Sequence, residues 1–150
     1  MLFSQIIGQE DIKKKLIQSV KENRVAHAQL FLGPEGTGKL ALAIAYAQYI
    51  NCTNKQENDS CGQCPSCKKY NALAHPDLHF IFPNTTNKSV KKEPESNLYL
   101  TEWRTYLESC DCYASTSNWY NALEVENKQG IINVRDAASI IRKPAELCRP

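Results

Sequence analysis

Eight consecutive residues that begin at Gly33 have the composition of a loop that binds phosphate. They read Gly-Pro-Glu-Gly-Thr-Gly-Lys-Leu and fit the pattern G-x-x-x-x-G-K up to the last position. Glycines let such a loop adopt positive φ angles and bring its backbone N–H groups close to a phosphate. The lysine of the pattern reaches the β- and γ-phosphates of a nucleotide. The predicted nucleotide-binding residues are Gly33, Pro34, Glu35, Gly36, Thr37, Gly38, Lys39 and Leu40.

The last position of this loop departs from the pattern. Leu40 stands where the pattern has Ser or Thr, whose hydroxyl coordinates the Mg²⁺ of the nucleotide. Because leucine offers no ligand atom, ATP binding is expected to be weak or vestigial, and ATPase activity of the chain itself is expected to be absent. The alternative to a phosphate-binding loop is a glycine-rich turn that only joins a strand to a helix and binds no ligand.

Four of the seven cysteines follow the loop at spacings typical of a metal site. Three form C-x-x-C-x-x-C, and eight residues separate the fourth from the first of these. A C-x-x-C pair directs both sulfurs to one ion, and four thiolates complete the tetrahedron of a structural Zn²⁺. The prediction is a zinc module over residues 52–67 with the ligands Cys52, Cys61, Cys64 and Cys67. Ordinary buried thiols, a redox pair and an iron–sulfur cluster are the alternatives.

Hydrophobic periodicity indicates the elements that position these two groups. Apolar residues at helical spacing predict a helix from Gln9 to Asn23, and a second helix is expected from Gly38 to about Asn51. Short apolar runs predict strands at 28–32, directly before the glycine loop, and at 78–82. Strand, helix and strand in this order predict an α/β fold, with a parallel sheet, flanking helices and the cysteine segment inserted in the crossover.

The second half of the chain is polar at first and then rich in aromatic residues. A polar loop is expected from Asn84 to Asn97, and a shorter helix is expected over 119–123. Asn133 with an acid three residues later predicts a helix that ends before Pro144. One helical face is expected to carry Leu100, Trp103, Tyr106 and Leu107 and to pack in the core. The alternative is an aromatic surface that stacks nucleic-acid bases.

Composition narrows the functional classes without naming a partner. A chain of 150 residues that is 42% hydrophobic and 23% charged is an ordinary globular sequence, and its net charge of +2 gives no argument for nucleic acid. The longest apolar run, Leu40 to Ala47, is far shorter than the ~18 residues of a membrane span. A cytoplasmic location without membrane contact is therefore the expectation.

The glycine loop, the C-x8-C-x2-C-x2-C spacing, and the segments 3–10 and 27–31 together resemble the bacterial clamp-loader subunits of DNA polymerase III. These are AAA+ proteins that place the sliding clamp on primed DNA. The resemblance covers Leu2 to about Phe82. It implies that residues 1–150 are an incomplete AAA+ P-loop domain, that 84–130 is a variable insert, and that Ile7 and Gly8 border the adenine site.

Leu40 favours one branch of this family. Delta-prime subunits often carry a degenerate P-loop, whereas the ATP-hydrolysing gamma/tau subunit keeps an intact one. The resemblance therefore implies a delta-prime role in a nucleotidyltransferase holoenzyme, with the other clamp-loader subunits as partners and contact with the sliding clamp and primed DNA through the complex. A gamma/tau motor subunit is the alternative, and a P-loop kinase with structural zinc is the alternative from another class.

Two family elements are missing from the sequence. Neither an apolar strand ending in Asp-Glu, which would hold Mg²⁺, nor a Ser-Arg-Cys motif follows the P-loop. Both would be explained if the chain were an amino-terminal fragment, and this is the expectation. Direct DNA contact and the role of the insert are left open by the sequence.

Overall fold

The computed structural model describes the backbone of residues 1–125 and 128–147, and the side chains of residues 1–125 and 128–140. Cys148, the last of the seven cysteines in the sequence, lies outside the described residues. The described helices are α1 (Glu10–Lys21), α2 (Lys39–Asn51), α3 (Pro65–Asn71), α4 (Leu100–Ser109), α5 (Thr116–Ala122) and α6 (Val134–Leu147), with short 3₁₀ turns at Phe3–Gln5 and Ser96–Tyr99.

Two compact units divide the chain. The first unit consists of Met1–Leu78 with Ser109–Ala114, and the second consists of His79–Glu108 with Ser115–Pro150. Both the glycine loop and the cysteine segment belong to the first unit. None of the helices in the described part of the chain has the length and hydrophobicity that a bilayer span requires.

Helix α2 is the centre of the first unit. It packs against α1, α3 and the turn at Phe3–Gln5, and its sequence is apolar or small on nearly every side, as a central helix requires. Its start one residue after Gly38 and its end at Asn51 confirm the predicted helix. The buried residues of α2 are Ala41, Leu42, Ile44, Ala45, Tyr46, Gln48 and Tyr49.

Aromatic side chains form the core of the second unit. The rings of Phe82 and Trp103 stack with centroids 4.2 Å apart, and Trp119 meets Trp103 edge to face at 4.8 Å. Trp103 is 7% exposed and Trp119 is 1% exposed. This burial supports helical core packing over a base-stacking surface.

A buried carboxylate joins the start of α6 to the loop before α4. Asp136 accepts hydrogen bonds from the backbone N–H of Ser96 at 2.8 Å and from the side-chain amide of Asn84 at 2.9 Å. Asn133 caps the same helix, because its side-chain oxygen accepts from Asp136 N at 2.9 Å. The predicted capping pattern is therefore present. Asp136 is 3% exposed, so the network lies in the interior.

The prediction of strands at 28–32 and 78–82 was wrong. Within 1–125 and 128–147, the structure has no β-strand, and its one β-bridge pairs Asn84 with Ile131. A strand is maintained by hydrogen bonds to a neighbouring strand. At Phe82 one side chain takes that role, since the hydroxyl of Ser96 accepts from the Phe82 N–H and lies 3.2 Å from both this nitrogen and the Phe82 carbonyl oxygen. Neither 78–82 nor 28–32 forms a ladder with another described segment.

The predicted end of the last helix was also wrong. Helix α6 continues past Pro144 to Leu147. A proline inside a helix removes one backbone hydrogen bond, and this loss does not end α6.

Candidate phosphate and metal sites

The glycine loop leads directly into α2. Gly36 and Gly38 both have positive φ angles, of 78° and 74°, which a residue with a Cβ adopts only with strain. Gly38 is the residue before Lys39, the first residue of α2. The backbone N–H groups of Gly38 and Lys39 therefore lie at the helix N-terminus, where the helix dipole favours an anion.

The side chains of the loop fold back over it. Thr37 Oγ1 donates to the carbonyl oxygen of Pro34 at 2.9 Å, and Lys39 Nζ donates to the same oxygen. A Cβ on Gly33 would come within 3.4 Å of Thr37 Oγ1 and 3.6 Å of Lys39 Cδ, so the absence of a side chain there makes room for both. The lysine ammonium thus lies over the loop, where it can meet a phosphate.

A cleft of about 440 Å³ opens beside this loop. Its polar lining includes Gln9, Thr37 and Lys39, and Gln9 Nε2 donates to the Thr37 carbonyl at 3.3 Å. Leu42 lines the cleft, whereas Leu40 is half-buried and does not belong to the lining. Of the eight predicted loop residues, the structure brings four to the cleft, Gly33, Pro34, Thr37 and Lys39. The lining leaves out the other four, Glu35, Gly36, Gly38 and Leu40.

The four predicted cysteines converge on one point. All four sulfur atoms lie within 4.8 Å of one another, with Cys52 Sγ 3.6 Å from Cys61 Sγ and Cys61 Sγ 3.9 Å from Cys67 Sγ. Four thiolates at ~2.3 Å from a tetrahedral ion lie roughly 3.8 Å apart. The cluster fits this spacing, so the four cysteines could hold a metal ion, and the geometry is compatible with zinc.

Backbone N–H groups point at the sulfurs. Cys52 Sγ accepts from Cys61 N at 3.3 Å, and Cys61 Sγ accepts from Cys64 N at 3.3 Å. Cys64 also caps α3, because its sulfur accepts from Cys67 N at 3.4 Å. Gly62 has a φ of 68°, which allows the tight turn between the first two cysteines of the C-x-x-C-x-x-C segment. The sequence therefore sets the positions of the sulfurs by local turns.

These hydrogen bonds and the burial of the sulfurs shift the pKa values of the thiols in opposite directions. The Thr53 side chain, with the backbone N–H of Cys67, lowers the pKa of Cys64 to about 5. The backbone N–H groups of Gln63 and Cys64 lower the pKa of Cys61. Burial raises the pKa of Cys67 to about 12. Two thiols thus favour the thiolate that a metal ligates, while Cys67 needs a cation beside it to ionise.

Neighbouring polar groups connect the cysteine segment to the rest of the first unit. The carboxylate of Asp59 accepts from the backbone N–H groups of Phe3 at 3.0 Å and Ser4 at 2.9 Å. Gln48 on α2, which is fully buried, donates to Ser60 Oγ at 3.1 Å. The cluster is therefore part of the packed unit.

Histidine does not enter the cluster. Among the described residues, the group that could hold a metal consists of the four cysteines alone. His75 instead stacks on Tyr70 with ring centroids 4.3 Å apart and shares a hydrogen bond with Ser66 at 3.2 Å. Both contacts place His75 beside α3, the helix that carries Cys67 and that Cys64 caps.

Similarity to known proteins places both sites in one family region. The family model described as "DNA polymerase III, delta subunit" matches residues 8–103, which include the glycine loop and all four cysteines. The chain belongs to this family. No solved structure matches it.

Individual relatives cover different shares of the chain. The delta-prime subunit of DNA polymerase III from Bacillus subtilis (strain 168) is 36% identical over 101 residues, which are 67% of this chain and 30% of the relative. The tau subunit from the same strain is 38% identical over 66 residues, covering 44% of this chain and 12% of tau. Protein STICHEL from Arabidopsis thaliana is 37% identical over 70 residues, covering 47% of this chain and 6% of STICHEL. The chain spans less than a third of each relative's length.

The family region leaves out one residue that the structure places at the glycine loop. Tyr113 comes from the aromatic-rich part of the chain, beyond residue 103, and its ring lies against Gly38. Sequence reasoning missed it because no spacing relates a tyrosine to a loop 75 residues earlier. Only the packing of Ser109–Ala114 in the first unit brings the two together.

Proposed function

We propose that this chain is part of a delta-prime-type subunit of a bacterial clamp loader, which helps to load the sliding clamp onto primed DNA as an assembly partner. The observation that carries the proposal is the match to a delta-prime subunit over 67% of the chain, against 44% for tau. Leu40 agrees with it, because the Mg²⁺ ligand that a motor needs is replaced by an alkyl group. The family membership also favours this function over a P-loop kinase.

The proposal assigns the four-cysteine cluster a structural zinc ion. Two of the sulfurs are buried and the other two are half-buried, and four protein ligands leave no open position for a substrate. The residues that would hold the ion are Cys52, Cys61, Cys64 and Cys67, as a module over 52–67. Its contribution would be to fix α3 and the turns before it against α2.

The proposal assigns the glycine loop a reduced role. Residues 33–40 are, in this proposal, the P-loop of an AAA+ domain that includes residues 1–150. Its backbone N–H groups and Lys39 can hold phosphate groups, since those contacts do not depend on the side chain of Leu40. Magnesium-dependent binding and hydrolysis are not expected, because Leu40 offers no ligand. Residues 84–130 remain, in this proposal, a variable insert of the domain.

Native purification tests the proposed assembly. The gene that encodes this chain would be tagged at its chromosomal locus, and the complex would be isolated and identified by mass spectrometry. The expected eluate contains the gamma/tau and delta subunits in stoichiometric amounts. An eluate that lacks both subunits, while the tagged protein is soluble and metal-loaded, would overturn the proposal.

The tau relative supports a second candidate, the ATP-hydrolysing gamma/tau motor, because it is 38% identical to this chain over 66 residues. Steady-state ATP hydrolysis by the purified protein with Mg²⁺ separates the two. The delta-prime proposal expects no turnover above that of the Lys39→Ala variant. Turnover that Lys39→Ala removes would favour the motor.

A further inference from the structure

The four sulfur atoms of the cysteine cluster differ in their access to solvent. Cys52 is 2% exposed and Cys67 is fully buried, whereas Cys61 and Cys64 are half-buried. When a metal is bound, all four are thiolates, so exposure decides which of them a dissolved oxidant reaches first. Cys61 and Cys64 are therefore the two places where oxidation of the cluster can begin.

Two contacts hold Cys52 beside one of these places. Cys52 Sγ lies 3.6 Å from Cys61 Sγ, and it accepts a hydrogen bond from the backbone N–H of Cys61 at 3.3 Å. Cys67 Sγ is farther from Cys61 Sγ, at 3.9 Å. Because the sulfurs of a disulfide are about 2.05 Å apart, a movement of roughly 1.5 Å joins Cys52 to Cys61. Cys61 thus combines exposure with a second sulfur in contact.

The other two cysteines are tied to α3. Cys64 Sγ caps this helix by accepting from Cys67 N at 3.4 Å, and Cys67 lies inside it. A disulfide that used either sulfur would pull on the first turn of α3. Cys52 is different, because it follows Asn51, the last residue of α2, in an extended conformation. Its sulfur can approach Cys61 while the hydrogen bonds of α2 stay in place.

We propose that the cysteine cluster is a peroxide-sensitive zinc switch, in which Cys61 is oxidised first and Cys52 closes a disulfide with it. Cys64 and Cys67 stay reduced, and two thiolates are too few to retain a structural zinc ion. Oxidation therefore releases the metal and loosens the first turn of α3. This inference rests on the structural zinc ion of the proposed function and adds its regulation.

The reaction balances with hydrogen peroxide as the oxidant. The Cys61 thiolate attacks one peroxide oxygen, the O–O bond breaks, and Cys61 becomes a sulfenic acid as hydroxide leaves. The Cys52 thiolate then attacks the Cys61 sulfur, the S–S bond forms, and a second hydroxide leaves. Both hydroxides take up protons from the solvent. Two thiolates thereby give two electrons to one peroxide, which becomes two waters.

Tryptic mapping of the zinc-loaded chain after treatment with excess hydrogen peroxide tests the switch. Released zinc is followed with a metal-binding dye, and free thiols are alkylated before digestion without reductant. Trypsin cuts after Lys55. It therefore leaves Cys52 in peptide 40–55 and the other three ligands in peptide 56–68. The expected product is a disulfide that joins these two peptides through Cys61, formed as about one zinc ion per chain is released. A thiol reductant with added Zn²⁺ should restore the zinc content.

Cys110→Ser is the matched control. Cys110 is half-buried, as Cys61 is, but lies outside the cluster, so this variant should form the same cross-link and release zinc at the same rate. A slower release would give Cys110 a part in the reaction and overturn the inference. Zinc that stays bound in excess peroxide, or zinc release with a disulfide confined to peptide 56–68, would overturn it as well. An untreated chain that holds no zinc would instead overturn the proposed zinc site.

Discussion

At the scale of single residues, Leu40 is the substitution with the clearest chemical consequence. Leu40→Thr restores a hydroxyl at the position where the pattern provides a Mg²⁺ ligand. It should raise ATP affinity in the presence of Mg²⁺ by no more than about tenfold, because one contact of about 1.4 kcal/mol corresponds to that factor. Leu40→Val, which has a similar shape and no hydroxyl, is the control. Equal affinities of the two variants with Mg²⁺ would show that the hydroxyl finds no metal there.

Cys64 is the residue whose loss should remove the metal. Its sulfur lies in the four-cysteine cluster and also caps α3. Cys64→Ser is expected to lower the zinc content from about one ion per chain to near zero, since a structural site needs all four ligands. The melting temperature should fall as well. Mass-spectrometric metal analysis checks this.

Cys110→Ser is the matched control for that measurement. Cys110 is half-buried, as Cys64 is, but it is outside the cluster. This variant should keep its zinc. Loss of zinc in both variants, or in neither, would contradict the assigned ligand set.

At the scale of elements, the start of α6 depends on one buried acid. Asp136→Ala leaves the buried backbone N–H of Ser96 without its acceptor and removes one of three acceptors from the side-chain amide of Asn84. Because leaving a buried donor unpaired costs about 1–3 kcal/mol, the variant should lose about that much unfolding free energy. Both tryptophans of the chain are in the second unit, so their fluorescence during urea unfolding reports this loss.

Arg135→Ala is the neighbouring control on the same helix. Arg135 is solvent-exposed and pairs with Glu93 at 2.6 Å and Glu95 at 3.2 Å. Exposed ion pairs contribute little because water and salt screen them. Its effect on the same fluorescence transition should be much smaller than that of Asp136→Ala, and a comparable loss would refute the role of the buried network.

At the scale of the whole molecule, removal of the metal should have a local effect. Helix α3 has 7 residues, which is too short to persist alone, and Cys64 and Cys67 fix its first turn. Chelation is therefore expected to abolish the hydrogen-exchange protection of α3. The amides of α4 should keep theirs, because aromatic contacts in the second unit hold that helix.

Cys64→Ser serves as the reference for this exchange experiment. Without a metal to lose, the variant should show no further change when the chelator is added. Protection of α3 that survives chelation in the unsubstituted chain would mean that packing against α2 alone maintains the helix.

The sequence by itself determined the features that depend on local spacing. The cysteine cluster could be predicted because turns of two to eight residues bring its sulfurs together. Helices α1 and α4 could be predicted because apolar residues recur along one face, and α2 because its residues are apolar or small on nearly every side. The glycine loop could also be predicted, because its pattern lies within eight consecutive residues. Its positive φ angles at Gly36 and Gly38 follow from the residue type.

Tertiary structure alone decided the features that depend on distant partners. Apolar runs at 28–32 and 78–82 looked like strands, but a strand requires a neighbour, and the backbone of Phe82 is satisfied by Ser96 instead. The hydrogen bond between Ile7 and Tyr113 spans 106 residues, and that between Asn84 and Asp136 spans 52. No periodic pattern connects positions so far apart, because such contacts arise only when separate segments pack together.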